Sequence, residues 1–345
     1  MRILIANDGM NAHFFERMAW ANAFTHAGYE CVVYNCRELK AFDVFDRFKP
    51  DIFIGQLYNI DEATIKCLQE RPSIKYALRA GEYRKEKIDD DLLQTTDGHL
   101  EILNKLVKKV GNPEFIYTHY LQEDIEQTHH LFKDKYGINL VGIPMSGDVT
   151  VYNGAVFKDY LKCDVGFVGG YWPYKGYVID SYLTPLLEKF NLNVKIFGNQ
   201  LWPHVNQYCG ILDDQDVKNL FVSASICPNL SEPHAHKYGM DLNERTFKIL
   251  TAGGFCIMDN IAAAKKVFTE GVVFAEDPKD FKEKIFHYLK PENWGERQRI
   301  LRAGRNLVLK SHTNFHRAAS ILEGFSEHSH AKKVLDAYNN NFQQG

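Results

Sequence analysis

Residues 243–255 read NERTFKILTAGGF and lead into an apolar run that ends at Asp259. A polar, charged triplet opens a helix-like segment, and a glycine pair closes it. Helix N-termini expose unpaired N–H groups and partial positive charge, which favour phosphate, and an Arg there adds a bidentate donor. The segment therefore indicates either a phosphate site at Arg245 or an ordinary helix between an Asn cap and a Gly cap.

Strand-like runs that end in, or are followed by, glycine or a polar residue recur on both sides of this segment, with helix-like spacing between them. They lie at residues 1–6, 30–34, 50–55, 74–78, 114–118, 164–168, 194–199, 224–229, 255–259 and 272–275. Strand–helix alternation predicts parallel sheets with right-handed crossovers. Ligands in such sheets bind beyond the carboxyl ends of the strands.

The strand rhythm stops near the turn-prone Tyr152-Asn153-Gly154 and restarts at Asp164. This break predicts two domains, residues 1–158 and residues 159–314. The length of 345 residues suits two domains of ordinary size. A helix over 315–335 is expected to return to the first domain and complete it.

Two further segments match a known family in the same order as the first. Asp164–Gly170 looks like the first strand and glycine turn of a donor domain, and Gly304-Arg305 with His312-Thr313 looks like closing helices. With residues 243–259 they resemble GT-B glycosyltransferases, in particular the CgeB-like (spore maturation protein) branch of glycosyl transferases group 1. The resemblance covers roughly residues 160–325. It implies an α/β fold of two Rossmann-like domains facing a cleft, and sugar transfer from a nucleotide-diphosphate sugar, UDP-sugar first, without any cofactor.

The resemblance and the strand ends together assign donor-site residues in the second domain. Arg245 is expected to pair with phosphate, Lys175 to face the diphosphate, and Asn243 or Glu244 to hold sugar or ribose hydroxyls. The predicted donor-binding set is Gly169, Gly170, Lys175, Asn199, His236, Asn243, Glu244, Arg245, Thr246, Gly253 and Gly254.

This chain departs from the family at two carboxylates. Many GT-B enzymes carry a ribose-binding Glu where Lys248 stands and a second Glu where Met240 stands. Their absence leaves the ribose contact open. It also supports an alternative, a non-catalytic nucleotide- or sugar-binding protein.

Three residues of the first domain are candidate catalytic groups. Asp8 ends the first strand and His13 starts the following helix, where an imidazole near neutral pKa suits general-base work. Glu82 lies in a loop after a strand. Each also has a plain reading, His13 as a capping histidine and Glu82 as a partner of Arg79 or Arg84.

No metal site is expected. Asp89–Asp91 and Asp213–Asp216 resemble metal-binding DxD motifs, but both precede helix-like stretches, where Asp is favoured electrostatically. His234 and His236 form a His-x-His pair without a third ligand nearby. The resemblance implies that helix dipoles and basic side chains take the charge of the leaving diphosphate.

Composition limits the compartment and the acceptor. Seven scattered cysteines without a CxxC pair indicate reduced thiols and a cytoplasmic protein, and no apolar run approaches membrane-spanning length, so no membrane insertion is expected. Residues 1–155 hold 18 Lys/Arg against 23 Asp/Glu. This acidic balance favours a saccharide or small-molecule acceptor. Duplex DNA, modified at a base such as hydroxymethylcytosine, remains the alternative because basic patches lie at 79–87 and 105–109.

Overall fold

The computed structural model of the chain describes residues 1–9, 12–81, 83, 96–204 and 206–342. The chain forms two compact units, Met1–Pro144 with Asn314–Gly345, and Met145–Thr313. Each unit has a parallel β-sheet with helices between its strands. The predicted α/β fold with two Rossmann-like sheets is confirmed.

The first unit contains a six-stranded sheet in the order β2-β1-β3-β4-β5-β6. Its strands are β1 Arg2–Asn7, β2 Glu30–Asn35, β3 Ile52–Gln56, β4 Lys75–Arg79, β5 Phe115–Thr118 and β6 Asn139–Gly142. Its helices are α1 Ala12–His26, α2 Ala41–Phe48, α3 Glu62–Glu70, α4 Thr96–Val110, α5 Gln122–Thr128 and α6 His130–Tyr136, and two further helices come from the end of the chain.

The second unit contains a five-stranded sheet in the order β11-β10-β9-β7-β8. Its strands are β7 Cys163–Val168, β8 Val194–Phe197, β9 Ala224–Asn229, β10 Cys256–Asp259 and β11 Val273–Ala275. Its helices are α7 Val149–Tyr152, α8 Pro173–Tyr182, α9 Thr184–Lys189, α10 Asp214–Ser223, α11 Pro233–Tyr238, α12 Glu244–Ala252, α13 Ala262–Val267, α14 Pro278–Leu289 and α15 Trp294–Ser311.

The helices at the end of the chain are α16 Asn314–Gly324 and α17 His328–Phe342, and both belong to the first unit. The Asn314 side chain donates to the carbonyl of Ala19 on α1 at 2.9 Å. Phe315 and Tyr338 are buried, with ring centroids 5.6 Å apart. The single helix expected over 315–335 is instead these two helices, because the chain turns at Ser326, which has a φ of 60°.

The units divide between Pro144 and Met145, earlier than the predicted boundary at residue 158. Residues 145–158 pack with the second unit. The amide of Val156 donates to Asn219 at 2.9 Å, and the amide of Lys158 donates to Ser223 at 2.8 Å. Both acceptors lie on α10, and this pairing attaches the connecting segment to the second unit.

Candidate active site

In the second sheet, the order in which the chain adds strands reverses at β7. From this strand the chain goes to β8 on one side and then returns to β9 on the other. The loops after β7 and β9 therefore diverge and leave space above the carboxyl ends, where ligands bind in parallel sheets. Gly169 follows β7, Asn229 ends β9 and Asp259 ends β10.

Arg245 lies in the first turn of α12 and reaches the ends of both strands. Its Nε donates to the carbonyl of Val168 at 2.6 Å, and its Nη1 donates to Oδ1 of Asn229 at 3.1 Å. The guanidinium also lies 4.5 Å from the Phe167 ring centroid. Burial lowers the pKa of Arg245 to about 10, which leaves the group charged at neutral pH.

Gly169 and Asn229 complete the surroundings of this guanidinium. A Cβ at Gly169 would lie 2.6 Å from Arg245 Nη2, so a larger residue at this position would displace the guanidinium. Asn229 is fully buried, and its Nδ2 has no hydrogen-bond partner in the described part of the chain. A buried amide donor without a partner is costly, and a ligand oxygen would satisfy it.

Lys175, on α8, is the second buried cation of this region. The side chain is 3% exposed, and among the described residues its ammonium forms neither a hydrogen bond nor an ion pair. Its nitrogen lies 5.7 Å from the Trp172 ring centroid. Burial, and then the charge of Arg245, lower its pKa to about 7. Two buried cations near each other suit an anionic ligand.

His236 is held by the buried carboxylate of Asp259. His236 Nε2 lies 2.8 Å from Asp259 Oδ2. The same carboxylate accepts from the Ser231 amide at 2.6 Å and from the Ser231 hydroxyl at 2.9 Å. The loop after β9 and the start of α11 are thereby fixed at the end of β10.

Glu244 pairs with Lys248 one helical turn later, at 2.8 Å, and both side chains are largely buried. Lys248 lies at the position where the resembling family carries its ribose-binding Glu. In this chain the carboxylate lies one helical turn earlier on α12, at Glu244.

The other predicted donor residues lie in different surroundings. The Asn243 side chain caps α12 by accepting from the Arg245 amide at 2.9 Å. Thr246 is fully buried, with its hydroxyl 3.9 Å from Met258 sulfur, and so lies in the core. Gly253 has a φ of 91° and caps the far end of α12, next to Gly254. A helix of nine residues places that end about 13 Å from its start. Gly170 borders the Trp172 ring, and Asn199 is exposed after β8.

In the first unit, Asp8 follows β1 among polar side chains. It lies 3.9 Å from Arg17 Nη1 and 3.5 Å from Arg37 Nη2, and Gln56 donates to it at 3.4 Å. Burial raises the pKa of Asp8, but a hydrogen bond from Asn59 and the charge of Arg17 outweigh burial and lower it. Asp8 is therefore an ionised carboxylate at neutral pH.

His13 stacks on His119, with ring centroids 5.1 Å apart. Burial lowers the pKa of His119 well below its usual value, so its ring is neutral. His119 follows β5, and its Nδ1 lies 3.0 Å from the carbonyl of Ile143. Glu82, the third predicted catalytic residue, lies outside the described residues.

Several polar residues beside these sites were outside the predicted donor-binding and catalytic sets. Arg17 and Arg79 are 1% and 2% exposed, and Arg79 donates to the Tyr58 hydroxyl at 2.8 Å. Gln56, Asn229 and Asp259 are also buried and lie at strand ends. A polar residue at the last position of an apolar strand is the sequence signal shared by Gln56, Arg79, Asn229 and Asp259.

The Asp213–Asp216 cluster begins α10. The Asp213 carboxylate accepts from the Gln215 amide at 2.9 Å, so the predicted helix start is confirmed. Asp89–Asp91 lie outside the described residues. Among the residues with described positions, no three His, Cys, Asp or Glu side chains group as a metal site would need. None of the described helices combines the length and apolar character needed to cross a bilayer.

A sequence model of a family described as glycosyl transferase-like matches residues 181–323. This region contains Arg245, His236 and Asp259. A sequence comparison with curated proteins gives no significant match.

Solved glycosyltransferases share the fold along nearly the whole chain. Sucrose-phosphate synthase from Thermosynechococcus elongatus matches with a TM-score of 0.63 at 10% identity, covering 100% of both chains. An α-glucosyltransferase in complex with UDP and a 13-mer DNA containing an HMU base matches at 0.62 and 14% identity, covering 95% of this chain and 99% of that one. T4 phage BGT in complex with UDP and Mn²⁺ matches at 0.56 and 12% identity, covering 99% of both.

Proposed function

We propose that the protein transfers a sugar from a nucleotide-diphosphate sugar, with UDP-sugar first, to a hydroxyl acceptor. The observation that carries this proposal is the pair of buried cations, Lys175 and Arg245, at the point where the second sheet reverses its strand order. Neither cation forms an ion pair among the described residues, and a nucleoside diphosphate supplies an anion for both. The glycosyl transferase-like region and the UDP in the similar structures support the same ligand class.

In the proposed reaction the bond between the sugar C1 and the β-phosphate oxygen breaks, and its electron pair stays on the diphosphate. The acceptor oxygen forms the new bond to C1 and loses its proton to a base. Lys175 and Arg245 stabilise the charge that develops on the leaving group. Such stabilisation by preorganised donors is usually the largest single contribution to lowering the transition-state barrier. This assignment uses no metal ion, and metal independence is itself part of the proposal.

The second unit is proposed to bind the donor, and the first unit to recognise the acceptor. Within the first unit, Asp8 and His13 stay the candidate catalytic groups. Asp8 is ionised and buried beside Arg17, and His13 stacks on a neutral His119. Glu82 stays a candidate on its sequence position alone. Membership of the CgeB-like branch is also a proposal. It rests on the sequence motifs at residues 164–170, 243–259 and 304–313.

The first test is a thermal-shift screen with UDP, GDP, ADP, CMP and dTDP, followed by UDP release from UDP-glucose. A ligand that binds the folded state raises the melting temperature by mass action. We expect a nucleoside diphosphate, UDP first, to raise it and CMP to raise it less. If no nucleoside diphosphate changes the melting temperature at millimolar concentration, the donor-site assignment is wrong.

A second candidate function is glucosylation of a modified base in duplex DNA. It is favoured by one observation, that a structure sharing the fold was solved with UDP and DNA containing an HMU base. The acidic balance of residues 1–155 opposes it, since DNA binding draws on basic excess. Transfer of radiolabelled glucose to duplexes with and without hydroxymethylcytosine separates this candidate from transfer to a saccharide.

A further inference from the structure

The carboxylate of Asp259 is fully buried at the end of β10, and both of its oxygens are engaged. Oδ1 accepts from the Ser231 hydroxyl at 2.9 Å, and Oδ2 accepts from the Ser231 amide at 2.6 Å and meets His236 Nε2 at 2.8 Å. Within the described part of the chain, His236 is the one basic side chain in ion-pair contact with it. A buried carboxylate requires such a charged or hydrogen-bonded partner.

We propose that Asp259 is a positioning residue that holds the His236 ring through Nε2, so that Nδ1 is left to contact the diphosphate of the donor beside Lys175 and Arg245. This inference rests on the proposed function. The Asp259 carboxylate raises the pKa of both Lys175 and Arg245, although burial dominates both groups. The His236–Asp259 pair therefore lies within electrostatic range of the two buried cations.

The ring geometry explains how the carboxylate acts. Because Asp259 occupies Nε2, the nitrogen left for a ligand is Nδ1, which has no hydrogen-bond partner among the described residues. In the protonated ring, Nδ1–H donates a hydrogen bond to a phosphate oxygen. In the neutral ring, Asp259 retains the proton on Nε2, and Nδ1 then offers a lone pair that repels phosphate. Asp259 therefore fixes which ring nitrogen is left for the ligand.

The other histidine of α11 differs and supplies a matched control. His234 Nε2 pairs with Asp241 at 2.7 Å, and its Nδ1 lies 3.2 Å from the Tyr174 hydroxyl and 3.7 Å from Glu232. Both ring nitrogens are thus engaged within the protein. Asp241 holds a histidine of the same short helix without leaving a nitrogen for a ligand.

Several titratable or charged groups surround His236. From the elements packed near it these are Asp259 on β10 and Tyr182 on α8, whose ring centroid lies 6.3 Å away, with Lys175 on α8 and Arg245 on α12 in range of Asp259. Lys237 follows it on α11, and Glu232 lies just before the first residue of that helix.

The test compares Asp259→Asn, His236→Gln, their double variant and Asp241→Asn. UDP release from UDP-glucose is measured as kcat and KM against pH, and UDP affinity is measured by calorimetry. Asp259→Asn keeps an oxygen for the Ser231 amide but removes the negative charge. We expect kcat to fall at least about tenfold, because the ring loses the charged acceptor that orients it.

The double variant should be no slower than His236→Gln alone, because Asp259 acts through the ring. Asp241→Asn should retain the wild-type kcat. Additive losses, wild-type kcat in Asp259→Asn, or wild-type kcat in His236→Gln overturn the inference, while turnover by the wild-type protein keeps the proposed function. Absence of UDP binding and turnover in the wild-type protein overturns both.

Discussion

Arg245 Nε donates to the carbonyl oxygen of Val168 at 2.6 Å, which joins the start of α12 to the end of β7. The same guanidinium bonds Asn229 at the end of β9. One side chain thus links the two strands between which the sheet reverses order. Anchoring on both sides fixes the orientation of the guanidinium before any ligand binds, and fixed donors stabilise developing charge without reorganisation.

Replacing Arg245 by Lys should weaken UDP binding by at least about tenfold, since it removes the planar fork that bonds phosphate while keeping the charge. Isothermal titration calorimetry measures this directly. Arg302→Ala, an exposed position on α15, is the control and should bind UDP as the wild-type protein does. Equal affinities in wild type and Arg245→Lys would remove Arg245 from the donor site.

Replacing Lys175 by Met should stabilise the ligand-free protein and weaken UDP binding. The folded-state pKa of Lys175 is lowered to about 7, against 10.5 in the unfolded chain. The unfolded state therefore binds more protons than the folded state between pH about 7 and 10.5. Burial of Lys175 lowers the free energy of unfolding fully below pH about 7, and this loss fades as the pH rises towards 10.5. Thermal unfolding of both proteins at pH about 6 checks the prediction, and a lower melting temperature in Lys175→Met contradicts it.

UDP binding should take up a proton at Lys175 above neutral pH. The bound diphosphate favours the charged ammonium and raises its pKa from about 7. Affinity is then full below that pKa and falls as pH rises through the interval up to the higher pKa of the complex. Calorimetry at pH about 8 in buffers of different ionisation enthalpy measures the uptake. Lys175→Met should lose it, and equal uptake in both proteins would assign the proton elsewhere.

Metal should be dispensable for transfer. Asp213 caps α10, and Asn is an equally good cap, so Asp213→Asn should leave stability and activity nearly unchanged. EDTA should likewise have little effect on turnover. Loss of activity with EDTA that Mn²⁺ restores would show that a metal carries the charge of the leaving group.

Duplex DNA should bind weakly at about 0.15 M salt. Lys105 pairs with Glu101 at 3.0 Å and Lys109 pairs with Glu62 at 2.6 Å, so acidic side chains reduce the basic patch of α4. Arg84, Lys85 and Lys87 lie outside the described residues. Fluorescence anisotropy with a labelled duplex measures the affinity. Retention at this salt that is abolished by Lys→Glu changes at 105, 108 and 109 would favour the DNA-modifying function.

The sequence predicted most strands because they are apolar runs with a turn signal behind them. It missed β6, Asn139–Gly142, which has four residues and partly exposed positions at an edge of the sheet. It also placed the domain boundary late, since the hydrogen bonds from Val156 and Lys158 to α10 are long-range contacts that no local pattern reveals.

The sequence singled out site candidates where the chemistry of a residue follows from its position along the chain, as for Arg245 at a helix start and Lys175, which follows a strand and lies on α8. The roles of Asn229 and Asp259 depend on neighbours that folding brings together. Asn229 bonds Arg245, which is 16 residues away in the sequence, and Asp259 bonds Ser231, which is 28 residues away. The sequence predicted a sugar or ribose contact for Asn243 or Glu244, and it did not show that the Glu244 carboxylate pairs with Lys248.

A crystal structure of the protein with UDP tests the central claim most directly. We expect phosphate oxygens of UDP within hydrogen-bond distance, about 3 Å, of the Arg245 guanidinium and the Lys175 ammonium. We also expect an oxygen close to Nδ2 of Asn229, a buried donor that has no partner among the described residues. UDP bound elsewhere, with neither cation touching phosphate, would contradict the donor-site assignment.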